Sequence, residues 1–104
     1  MHVPFSLLAE FPEPTMIKLK SIESKGGYRL LLRFSDDTSG VYDFTPFIEA
    51  ATEMTAPLSD PQFFSRYFIE LGALAWSNGF DLSAESLHRR LQESGGLRNN
   101  AEAA

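Results

Sequence analysis

Between Ile17 and Phe44 the chain alternates apolar and polar residues in three runs, separated by breaks too short for anything but turns. In the first run Ile17 and Leu19 oppose Lys18 and Lys20. In "YRLLLRF", Tyr28, Leu30, Leu32 and Phe34 fall on one face and Arg29, Leu31 and Arg33 on the other, because successive side chains of a strand point to opposite sides. "VYDF" reads as the return strand after the turn cluster "SDDTSG". Parallel neighbours need a crossover of about a dozen residues or more, so these breaks leave an antiparallel meander.

Downstream the signals change to caps and turns. Thr45 ahead of Pro46 reads as an N-cap with proline at the first helical position, and "FIEA" as a short helix or 3₁₀ turn. "ATEMTAPLS" reads as a mobile connector. Asp60-Pro61 repeats the cap-and-proline signal before "QFFSRYF", a short helix that buries Phe63, Phe64 or Tyr67. "FIEL" and "ALAW" flank Gly72 as a hairpin, and Asn78-Gly79 marks a further turn. Ser83 caps a last helix, with Leu82 and Leu87 at the spacing of a hydrophobic staple. Ala84, Leu87, His88 and Leu91 share one face of it, and Gly95-Gly96 stops it.

These signals predict an α+β domain: a small antiparallel sheet of about four to five strands, short helices, and a C-terminal amphipathic helix packed on one face. Residues 1–15 form an N-terminal arm, 16–94 the domain, and 95–104 a tail expected to fray. A chain of 104 residues suits one domain, and nine phenylalanines with one tryptophan provide bulky core material. Nine basic residues against fourteen acidic ones leave a formal charge of -5, the wrong balance for a protein that grips phosphate backbones. The absence of cysteine excludes disulfides, thiolate metal sites and cysteine nucleophiles. The start has no lysine or arginine before its apolar part, and no stretch approaches the ~20 apolar residues of a membrane span. A cytoplasmic protein is therefore expected.

Taken together and in order, "YRLLLRFSDDTSGVYDFTPFI" and "LSDPQFFSRYFIELGALAWSNGFDLSAESLH" resemble the DUF2442 family of small bacterial proteins over about residues 16–91. The resemblance is carried by Leu30, Leu32, Phe34 and Asp36, by Asp43, Phe44 and Pro46, by Leu58, Asp60, Pro61 and Phe63 or Phe64, and most specifically by Trp76, Asn78, Gly79, Asp81, Leu82 and Leu87. Asp37 stands where relatives usually have the turn glycine, which leaves the positive-φ role to Gly40 in a longer hairpin. Ser77 replaces a proline, and His88 a tyrosine. The resemblance implies an α+β fold with a small antiparallel sheet and brings no catalytic residues. It also implies relatives that stand alone, are fused to a helix-turn-helix domain, or are encoded beside another small protein as in toxin–antitoxin pairs.

Several residues invite a chemical reading. Asp36, Asp37 and Asp43 form an acidic group, but lack the spaced ligands and closing glutamate of a calcium loop, and read as turn and strand-edge acids. His88 with Asp81 and Ser83 or Ser86 has the composition of a triad, yet the serines have helix-start roles and His88 lies on the apolar stripe. No catalytic set, metal site or cofactor is predicted. Trp76 is either core or an interface platform, and Asp81 either caps locally or recognises something beside Asn78. Trp76, Asn78 and Asp81 are thus the binding candidates. Phe5, Leu7, Leu8 and Phe11 in the arm are candidates for the interface of a homodimer. The leading expectation is a non-catalytic interaction module, the antitoxin-like or partner half of a small two-gene system, whose acidity suits a small basic toxin-like protein. The alternatives are a small-ligand or nucleotide-binding protein or enzyme using the Asn78/Asp81 turn, and a transcription-associated accessory protein without direct nucleic-acid contact.

Overall fold

The computed structural model describes residues 17–50 and 52–99. Along the chain lie β1 (Leu19–Ser24), β2 (Arg29–Phe34), β3 (Thr38–Asp43), α1 (Thr45–Ala50), a 3₁₀ turn (Ala56–Ser59), α2 (Pro61–Phe64), β4 (Phe68–Glu70), β5 (Ala73–Ala75), β6 (Asp81–Leu82), α3 (Ala84–Ser94) and β7 (Arg98–Asn99). They form the predicted α+β architecture, with the strands divided between two antiparallel sheets, ordered β1-β2-β3-β7 and β4-β5-β6. One core serves both: Leu30, Leu32, Phe34 and Phe44 from the first sheet side meet Leu74 and Trp76 from the second, with Leu87 and Leu91 of α3.

The expected faces of β2 are present, with Leu30, Leu32 and Phe34 buried and Arg29 and Arg33 exposed. In β1 strict alternation breaks. Leu19 pairs with Phe34 but Ser21 with Arg33, so Lys20 is the extra residue of a β-bulge. Both Leu19 and Ile22 therefore pack on the core although an even period would separate them. The β2–β3 turn also differs from expectation. Asp37 itself takes φ +68, after a turn closed by its amide donating to the Phe34 carbonyl at 3.2 Å. Aspartate tolerates this region because its short polar side chain bonds locally, so no displaced glycine is needed. Gly40 instead lies within β3, where a Cβ would stand 2.7 Å from the Gly96 carbonyl and 3.0 Å from Leu91. The missing side chain lets α3 and its exit close onto the sheet.

Thr45 is the first helical residue of α1 rather than its cap. Asp43 does the capping, its Oδ1 accepting from the Thr45 amide at 2.9 Å and hydroxyl at 2.6 Å. Those bonds hold the Asp43 carboxyl below its ordinary value. Asp60 caps α2 as predicted, accepting from the Gln62 amide at 3.0 Å. The connector is anchored, not loose. Thr52 and Thr55 exchange backbone and hydroxyl bonds, and Leu58 is fully buried. The tail is ordered further than expected: Leu97 packs against the core and Arg98–Asn99 pair with β3. Past α3, Gly95 and Gly96 donate to the carbonyls of Gln92 and Leu91, the paired bonds of a Schellman motif.

The β4–β5 hairpin turns on two residues, Leu71 at φ +53 and Gly72 at φ +83, the mirror-image turn that suits strand twist. Its tip joins the two sheets. The Leu19 amide donates to the Gly72 carbonyl at 2.9 Å, and a Cβ at Gly72 would lie 2.8 Å from the Lys18 side chain.

Candidate functional site

The residues of the Trp76–Ser83 motif divide between core and surface. Trp76 is 1% exposed, stacks on Phe80 with centroids 5.7 Å apart, and meets Phe44 edge-on at 6.1 Å. Its indole Nε1 donates to the Phe64 carbonyl at 2.9 Å, which places the ring's only polar group in the seam between α2 and β5. The loop from β5 to β6 closes through Trp76, whose amide donates to the Phe80 carbonyl at 3.0 Å. Asn78 uses both ends of its side chain. Oδ1 accepts from the Phe80 amide at 3.1 Å, and Nδ2 donates to the Met54 carbonyl at 3.0 Å. One residue thus shapes its own turn and ties it to the connector before the 3₁₀ turn.

Asp81 pairs with Ala75 in the sheet and its side chain is exposed, with no hydrogen bond among the described residues. The local capping expected of it is performed by Ser83, whose Oγ accepts from the Ser86 amide at 3.1 Å. The Ser86 hydroxyl in turn donates to the Ser83 carbonyl at 3.0 Å, so both serines are engaged in starting α3. The structure brings Trp76 and Asn78 to one structural seam and leaves Asp81 outside it.

His88 and Asp36, 52 positions apart, meet with Nε2 and Oδ2 at 3.0 Å. They line an open groove of about 460 Å³ with Ile17, Glu85, Arg89 and Gln92. The His88 ring also packs edge-on against Phe34, centroids 5.2 Å apart. Partial burial pushes the Asp36 carboxyl up, but the hydroxyl and amide of Thr38 and the contact with His88 outweigh it and hold the group below its ordinary value. An ionised Asp36 clasping His88 fastens α3 to the β2–β3 turn. The hydroxyl nearest the pair, Thr38 Oγ1, donates to Asp36 and is not presented to His88 as a nucleophile. Among the described residues no three metal-ligating side chains converge. Local sequence carries no signal for this pair.

A third feature is apolar. Phe68 is 41% exposed, Ile69 38% and Leu71 91%, consecutive with β4, which is an outer strand of its sheet. A second small groove, lined by Tyr42, Pro46, Phe47, Ala50 and Arg90, is roofed by the Arg90 guanidinium 5.2 Å from the Phe47 centroid. Phe5, Leu7, Leu8 and Phe11 lie outside the described residues.

Comparison with known proteins returns one family, described as Protein of unknown function (DUF2442), matching residues 19–93, and the chain belongs to it. No curated protein and no solved structure matches.

Proposed function

We propose that this member of the DUF2442 family is a protein-interaction module that receives an extended segment of a protein partner along β4. The observation that carries the reading is the exposure of Phe68 and Ile69 on an outer strand and of Leu71 in the turn that follows it. An outer strand presents unpaired backbone donors and acceptors, and natural proteins normally blunt it with charge, proline or cover. Here two of its three residues, Phe68 and Ile69, are exposed apolar side chains and only Glu70 is charged, a combination open to strand addition: main-chain bonds for affinity, side-chain contacts for selection. The polar groups that suggest chemistry in the sequence support the same reading, since Trp76, Asn78, Ser83 and His88 are engaged in structural contacts.

The net charge of -5 favours a partner of opposite overall charge, through long-range steering rather than through the apolar contact itself. Together with the gene context that the family resemblance implies, this extends the proposal to one half of a two-gene system with a small basic partner. The test is recovery of the full chain from its native host alongside an Ile69→Lys variant. A small protein held stoichiometrically by the parent and lost from the variant, with unchanged melting of the variant, supports the proposal. Equal recovery by both places the contact elsewhere, and a retained metabolite in place of a protein overturns the reading.

A further inference from the structure

We propose that the chain's own segment Phe5–Phe11 occupies the β4 edge in cis, so that a partner reaches that edge only by displacing it. The inference rests on reading β4 as a docking edge, and adds how that edge is regulated. Four observations point to this occupant.

The first is position. The N-terminal segment enters the described structure at Ile17 and Lys18, and Lys18 lies against Gly72, directly after Leu71. The second is reach. The seven steps from Phe11 to Lys18 span about 20 Å when extended, while β4, three residues long, spans about 10 Å. The third is backbone chemistry. Proline has no amide to donate, and Pro4, Pro12 and Pro14 leave Phe5–Phe11 as the one proline-free stretch of strand length before Ile17. That stretch carries Phe5, Leu7, Leu8 and Phe11, apolar surface to match that of β4.

The fourth is charge. Lys18 lies just past the tip of β4 and Arg66 two residues before its start, and neither makes an ion pair among the described residues. The N-terminal segment supplies Glu10 and Glu13 and no lysine or arginine. A tethered segment also has the kinetic advantage. A short linker gives an effective concentration on the order of millimolar, which a second copy at micromolar concentration does not match.

The test is hydrogen–deuterium exchange on the full chain and on its Leu8→Asp/Phe11→Asp double variant. The expected result is exchange of the Ile69 amide, the β4 amide that points away from β5, at least about tenfold faster in the variant, with β2 and α3 unchanged and both proteins monomeric by light scattering. Equal exchange at Ile69 in the two proteins overturns the proposal. So does a parent that is dimeric and loses both the dimer and β4 protection in the variant, since a second copy is then the occupant. A third full-length variant, Phe68→Asp, keeps the answer independent of the arm: arm amides that exchange faster in it, on an intact fold, support docking, and unchanged ones overturn it. None of these readouts uses a partner, so a failure of the arm to dock and a failure to recover a partner are seen separately.

Discussion

Asn78 is the residue whose structural role is most concentrated, since replacing it leaves two backbone groups, the Phe80 amide and the Met54 carbonyl, without their partners. Asn78→Ala should cost about 0.5–1.5 kcal/mol in chemical denaturation, the net range for a hydrogen bond, because water can reach the exposed Met54 carbonyl. Asn78→Asp keeps the acceptor and loses the donor, and should cost less than alanine. Asp36 has a pH signature. Its folded-state carboxyl titrates below the ordinary 3.8, so the stability it contributes is complete above that value and lost as pH falls through the folded one. Asp36→Asn should lower stability at neutral pH and flatten its decline between about pH 5 and pH 2, measured by thermal melts across that range. The flattening is partial, because Asp43 acts in the same direction on the same limb.

At the scale of elements, local chemistry was readable and tertiary chemistry was not. Ser83, Asp60 and Gly95-Gly96 act within a few residues of themselves, and the structure places them where the sequence does. Ser83→Ala should cost about 0.5–2 kcal/mol, and an unchanged denaturation midpoint with an unchanged slope would show that α3 starts elsewhere. The bulge at Lys20, the left-handed Asp37 and strand β7 depend on what lies opposite them, and no period in the sequence announces any of the three. Two-residue strands such as β6 and β7 are shorter than one cycle of evidence for alternation. The His88–Asp36 contact spans 52 positions and exists only once α3 lies on the sheet. The candidate site was legible as a group of residues, while their division into core, cap and surface was not.

For the whole molecule, Trp76 is the decisive contact. It touches Phe44 beside the first sheet, Phe64 of α2 and Phe80 in the loop between β5 and β6 of the second sheet. Neither small sheet has a core of its own, so the two should unfold together. Tryptophan fluorescence, which reads the seam, and far-ultraviolet circular dichroism, which reads the backbone, should give coincident denaturation curves. Separated curves would mean that the sheets are independent units.

The bulge at Lys20 makes one part of the first strand tolerant of a change that strands ordinarily reject. Losing a single residue from a regular strand inverts every side chain beyond it. Removing Lys20 does the reverse: Leu19 still faces Phe34, Ser21 still faces Arg33 and Ile22 still faces Leu32, now without the interruption. Over evolutionary time, chains one residue shorter at this point can share the same core. A Lys20 deletion should therefore fold with a cooperative melt, whereas deletion of Leu31 in the adjoining strand should abolish one.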